Sequence, residues 1–349
     1  MCLSRRTITL CESRWGRRLR SIAFFNNKGG VGKTTLLCNV ASYLALERQM
    51  KVLVIDADPQ CNATQLMLDE DEVFNLYDNS KNFTIYSIIH PLSIGKGYSS
   101  QINPLHVEDY GIDLVPGDPR LALKEDLLSK DWQDAISGDI RGLRTSYLFS
   151  DFLDRCDAYD LVMFDMGPSL GSINRAVLLS CGFFVSPMSI DIFSLKAIEN
   201  ISVALVEWRR RLRHGLEQAE QELLEDLPSQ DGFRIKFAGY VAQQYIQKTT
   251  QGEKRAVASY EKIMRRIPKT IRSNFVDKLQ GSDLGLVYEI GTIPNLYSLV
   301  PMSQTAHKPI FALKAKDGVR GAHFNKVKDA GKIYSDVTAN LLSNLDSLG

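Results

Sequence analysis

No apolar run in the chain approaches the roughly 18 residues of a membrane span. The tail after Lys332, IYSDVTANLLSNLDSLG, has no Lys or Arg with which an amphipathic helix could dock on an anionic membrane, so no membrane partner is expected. Net charge is nearly absent too: 42 Lys plus Arg against 41 Asp plus Glu leave +1, and no global excess advertises nucleic acid. The six cysteines form no CxxC pair, which points away from zinc sites and disulfide frameworks and toward reduced thiols in a cytosol. What the chain does have is 44% hydrophobic and 24% charged residues over 349 positions. That is a globular composition able to bury a full core, long enough for one large α/β domain or two smaller ones.

The charge balance is uneven along the chain. In residues 1–20 arginines at 5, 6, 14, 17, 18 and 20 face only Glu12. Residues 1–19 read as a basic, disordered leader, with an organelle transit segment as the alternative. From residue 20 the pattern becomes regular, and 20–349 is expected to form a single domain, in which the acidic stretch at 69–72 reads as a solvated loop and the turn-rich stretch at 90–104 as a surface excursion. Residues 21–25 (SIAFF) are a short apolar run, followed by a Gly-rich turn and by LLCNVASYLAL, whose apolar residues fall at helical spacing. Further apolar runs, KVLVIDADPQ at 51–60 and YDLVMFD at 159–165, end in Asp. Apolar strands alternating with helices predict an α/β fold: a mostly parallel twisted sheet flanked by helices on both faces.

The turn after the first strand reads Lys28-Gly29-Gly30-Val31-Gly32-Lys33-Thr34-Thr35. Gly32-Lys33-Thr34 matches the end of the phosphate-loop pattern GxxxxGK[ST], while Asn27 stands at its first Gly position. The glycines let successive backbone N–H groups turn around a polyphosphate at the positive end of the following helix. Lys33 suits the β and γ phosphates and Thr34 the Mg²⁺ ion, which makes ATP and Mg²⁺ the expected cofactors. Lys28 is a second lysine at the loop entrance: either a solvated charge or a group aimed at the phosphates of a neighbouring subunit. Asp56 and Asp58 end the second strand, where ligands bind in open parallel sheets. Asp56 is expected to order the metal shell or the loop, and the pair could instead be loop caps.

KGGVGKTT, VLVIDADPQ and YDLVMFDMGPSLG together resemble the ParA/MinD family of deviant Walker-A P-loop ATPases, and more closely its ParA-like partition branch. Weaker likenesses continue in order to RGAHF at 320–324. The resemblance implies an ATP hydrolase, yielding ADP and phosphate, that works as an ATP-dependent homodimer. It implies that Lys28 reaches across to the partner's nucleotide, that Asp58 orients the attacking water, and that Asp165 is the Walker-B carboxylate beside Mg²⁺. One departure is Met166-Gly167-Pro168-Ser169 where the family has Thr-Pro-Pro-Ser, and it bears on the timing of hydrolysis. The resemblance also implies non-specific DNA binding by the C-terminal region. Candidate residues are Arg209, Arg210, Arg211, Arg213, Arg265, Arg266, Lys269 and Arg272, which could equally be solvated helix faces. Partition of DNA from the cytoplasm, with a ParB-like partner, is the leading expectation. The alternative is a regulatory ATPase of a mobile-element or defence operon that gates an operon-encoded protein.

Overall fold

The computed structural model describes residues 19–225, 227, 235–245 and 261–349. The basic leader up to Arg18, together with Lys254 and Arg255 of the second basic run, lies outside the described residues. Among the described residues eight strands form one sheet: β1 (Arg20–Phe24), β2 (Val52–Asp56), β3 (Leu105–Val107), β4 (Ile112–Val115), β5 (Leu161–Asp165), β6 (Phe183–Met188), β7 (Lys236–Tyr245) and β8 (Glu289–Pro294). Their order is β3-β4-β2-β5-β1-β6-β7-β8, and every pairing is parallel except β3 with β4. The three apolar runs read from sequence are thus β1, β2 and β5, side by side at the centre.

Strand alternation divides the core in two. Along β1 and the residue after it, Ile22 and Phe24 face one side while Ala23 and Phe25 face the other. The first side is covered by α1 (Lys33–Arg48), α2 (Asn62–Met67) and α3 (Glu70–Asp78). The second packs on α4 (Ile85–Ser93), α5 (Glu125–Ile136), α6 (Ile140–Ser146), α7 (Leu148–Asp154), α8 (Ser172–Ser180) and α9 (Ile192–Gln218). Further along the chain, α10 (Gln221–Leu224) and α11 (Ile267–Ile271) join that second side, and α11 runs on as a π-helix, Arg272–Gln280. Returning to the first side, α12 (Leu299–Ala306) and α13 (His323–Leu348) complete it. Each fully buried Phe or Leu contributes about 1.5–3 kcal/mol, so this double layer fixes the strand ends that carry the site.

Two local readings change. The acidic stretch at 69–72, expected as a solvated loop, opens α3: Asp69 accepts from the Glu72 N–H at 2.8 Å while Glu72 accepts from the Asp69 N–H at 2.9 Å. Carboxylates in a first turn match the positive end of the helix, so acidity here marks a helix start. The turn-rich stretch from 90 begins inside α4, which runs through Pro91 to Ser93. Among the described residues Cys38, Cys61, Cys156 and Cys181 are buried free thiols.

Candidate nucleotide site

The phosphate loop joins β1 to α1 at the C-terminal edge of the sheet. Gly30 and Gly32 have φ of 72° and 73°, the left-handed region that glycine enters without a Cβ clash. Gly32 also lies close to Gln243 on β7, whose side-chain oxygen would be 3.4 Å from a Cβ at this position. No side chain caps α1 and no acid stands in its first turn, so its amide donors and positive end remain for an anion. Residues 29–35 line a cavity of about 440 Å³ together with Asp58, Gln60, Asn62, Leu66, Met166, Pro168 and Gln304.

Lys33 is 8% exposed, and its Nζ donates to the Lys28 carbonyl at 3.4 Å. Burial lowers its pKa from the ordinary lysine value, with Asp165 and Asp58 pulling in the other direction. Thr34 Oγ1 donates to Asp165 Oδ2 at 2.8 Å. The other oxygen of Asp165 is buried with no hydrogen-bond partner. Burial, and next the neighbouring Asp56, push the Asp165 carboxyl well above the usual carboxylate range. A cation beside Thr34 and Asp165 would relieve that cost, and a hydroxyl with a carboxylate is the donor set of a hard divalent ion. Amide cradle, lysine and oxygen donors therefore fit an ATP·Mg²⁺ complex.

Asp56 and Asp165 are register partners on β2 and β5, yet their environments differ. Both Asp56 oxygens are engaged: Oδ2 accepts from the Thr64 N–H at 2.8 Å and its hydroxyl at 2.7 Å, and Oδ1 from the Asp58 N–H at 3.3 Å. Burial still raises its pKa to about 6 against those hydrogen bonds. The geometry suits ordering the loop, the second of the roles expected for it. Asp58, 6% exposed, accepts from the Gln60 N–H at 3.0 Å and the Asn62 amide at 3.4 Å, and it borders the cavity.

Lys28 is ion-paired to Asp191, the N-cap of α9. Burial works to raise the Asp191 pKa, but the Lys28 ammonium and the Ser194 N–H outweigh it and hold the carboxyl below its usual range. Asp191, Gln304 and Gln243 escaped sequence reading because they come from distant segments with no motif. Gln60 and Asn62, directly after the DADP stretch, could have been found by asking which polar groups follow the strand-end carboxylates. Gln243 adjoins Gly32 of the phosphate loop, and Gln304 on α12 lines the cavity.

The basic candidates lie elsewhere. α9 and the α11–π-helix segment are neighbours, tied by Ser202 Oγ to the Asn274 carbonyl at 2.8 Å and by Arg209 to the Leu279 carbonyl at 3.4 Å. Arg213, Arg265, Arg266, Lys269 and Arg272 are exposed. Arg210 and Arg211 both bond Glu207, at 2.9 and 2.5 Å, and Arg265 is 3.7 Å from Glu261. Among the described residues no helix is long and apolar enough to cross a membrane.

A family model described as an AAA domain matches residues 19–218. Among curated proteins, the chain is 29% identical over 197 residues to the chromosome-partitioning ATPase Soj of Thermus thermophilus, covering 56% of this chain and 65% of that protein. It is 24% identical over 271 residues to protein IncC of Escherichia coli, covering 77% of this chain and 63% of that one. The chain spans about two thirds or less of the curated relatives it matches. A solved structure, protein DIP2308 from Corynebacterium diphtheriae, superposes with a TM-score of 0.63 at 34% identity, covering 82% of this chain and 97% of that one. An ATP complex of a Cyanothece McdA variant shares the fold at a TM-score of 0.60 and 14% identity, covering 93% and 97% of the two chains. With the family model matching more than half of its length and partition ATPases among its relatives, the chain belongs to this AAA-domain family and, within it, to the ParA/MinD deviant Walker-A group.

Proposed function

We propose that the protein binds ATP with Mg²⁺, forms a nucleotide-gated homodimer, hydrolyses ATP to ADP and phosphate, and uses that cycle to position DNA in the cytoplasm. The observation that carries this reading is one arrangement: a buried Lys33, and Thr34 bonded to an Asp165 whose second oxygen has no partner, beneath an uncapped helix end. Amides of residues 29–35 would cradle the phosphates, Lys33 would neutralise them, and Thr34 with Asp165 would hold the metal and its water shell. Bound Mg²⁺ would supply Lewis-acid stabilisation of charge on the transferring phosphoryl group. Asp58, at the cavity edge, orients the attacking water. Lys28 acts in trans, and to cross to a second subunit it must give up Asp191. A charge delivered in trans can raise phosphoryl transfer by about 10³–10⁵, which would tie turnover to dimerisation.

Duplex DNA is the proposed cargo track, bound through phosphates by exposed cations of α9 and the α11–π-helix segment, giving nucleoid association in the ATP state. A ParB-like partner is the expected stimulator. The engagement of Arg210 and Arg211 by Glu207 favours a second reading, in which the ATP dimer gates an operon-encoded protein and DNA is incidental. Size-exclusion chromatography with light scattering, with ADP or a non-hydrolysable ATP analogue and with or without random duplex DNA, separates these. A dimer with the analogue that co-elutes with DNA supports the first reading, a dimer that ignores DNA the second. A monomer under all conditions overturns both.

A further inference from the structure

Residues 166–171 follow β5 and bring Met166 and Pro168 into the cavity wall. The loop is held from behind by α8. Asn174, 3% exposed, donates through its amide to the Gly167 carbonyl at 2.8 Å and to the Ser169 carbonyl at 2.6 Å. Glu125 on α5 accepts from the N–H groups of Ser172 and Ile173, fixing the start of α8 against a neighbouring helix. On its other side the loop meets Asp58. A Cβ at position 167 would lie 3.2 Å from Asp58 Oδ1, tighter than an ordinary contact, so a side chain there would push the carboxylate aside by a few tenths of an ångström.

We propose that Asn174 and Gly167 form a clip that positions Asp58: the amide fixes the loop, and the glycine transmits the loop's position to the carboxylate. This rests on the reading of Asp58 as the group that orients water. The side-chain hydrogen bonds to Asp58 are one N–H at 3.0 Å and one long amide contact at 3.4 Å, and the glycine wall is a third restraint on where the side chain rests. Asparagine suits the task because a single NH₂ group offers two donors, one for each carbonyl. Loss of those donors would leave two loop carbonyls unpaired and free the loop to shift. Asn174 and Gly167 are thus positioning residues that act through Asp58.

The test compares Asn174→Asp, Asn174→Ala, Gly167→Ala and Asp58→Ala in the full chain. Single-turnover phosphate release gives the rate, a fluorescent ATP analogue gives Kd, and thermal melting reports folding. Misplacing a catalytic group by a fraction of an ångström costs about tenfold in rate, so Asn174→Asp and Gly167→Ala should each slow hydrolysis about tenfold while leaving Kd unchanged. Asn174→Asp, nearly isosteric but placing an acceptor against two carbonyls, should be slower than Asn174→Ala, whereas simple cavity formation gives the reverse order. Should Asn174→Asp fail to fold, Gly167→Ala decides alone. Rates at the wild-type level in the Gly167 variant, or Kd weakening in step with rate, overturn the clip. If Asp58→Ala turns over normally, the reading of Asp58 has failed; if it is slow while the clip variants are normal, only the clip has failed.

Discussion

At the phosphate-loop end of the sheet a few charges are buried and each has a defined neighbour; on the C-terminal half of α9 charges are numerous and solvated. Lys33, Asp56 and Asp165 are almost inaccessible, and burial is the first cause of every pKa displacement among them. Glu207, by contrast, is shifted to about 2 by the Arg210 and Arg211 hydrogen bonds. The two regions therefore answer to different physics. In the first, removing one group leaves another uncompensated in low dielectric. In the second, water and salt screen each loss, and only the sum of charges matters.

The largest effect should come from Lys33→Ala. Truncating one partner of a buried charge pair costs about 3 kcal/mol, so ATP affinity should fall about a hundredfold or more by calorimetric titration, and analogue-induced dimerisation should disappear with it. An ammonium in solvent would lose far less, so a modest loss would erase the contrast between the regions. Next, Asp165→Asn keeps shape but removes the charge that Mg²⁺ would meet. Outer-shell partners are worth about ten- to a hundredfold in metal affinity, so the gain in nucleotide affinity on adding Mg²⁺ should shrink by about tenfold. Binding in chelator should change little. Asp56→Ala tests the other buried carboxylate: with Thr64 left unpaired, stability should drop by about 2 kcal/mol, read as a lower Tm, with ATP affinity nearly intact.

The same contrast explains what could be read from the amino-acid order. The strands, the loop and the place of Asp58 and Asp165 beside it were legible because this end of the sheet is made of strand termini, each followed at once by residues of the candidate site. Asp191 was not: it meets Lys28 only because β6 lies beside β1, and an Asp before a helix reads simply as a cap. Asn174 and Gln304 were missed for the same reason, since their partners are set by helix packing rather than spacing. At 69–72, charge was mistaken for solvation because a capping box and an acidic loop look alike until Val73 and the residues after it are seen to turn as α3. The basic runs were legible as charge, but the helical spacing that lets Glu207 engage Arg210 and Arg211, two of the four arginines of the first run, was missed.

The smallest effect is the most specific to the exposed region. Glu207 sits one helical turn before Arg210 and Arg211 and bonds both, so it neutralises part of the face proposed to meet DNA. Glu207→Gln keeps side-chain size and some hydrogen bonding while removing the negative charge. Exposed ion pairs contribute little to folding, so Tm should move by no more than about a degree. Binding to random duplex DNA in the ATP-analogue state should strengthen about two- to threefold at low salt, and the gain should vanish at high salt as the added attraction is screened. Arg213→Ala, on the same helix, should do the reverse and reduce the salt slope by about 0.9 if it meets one phosphate. Anisotropy titrations of labelled duplex across a salt series check both. If neither variant moves the curve while the analogue still induces a dimer, the α9 charges are a solvated face, and the protein-gating reading takes precedence over partition.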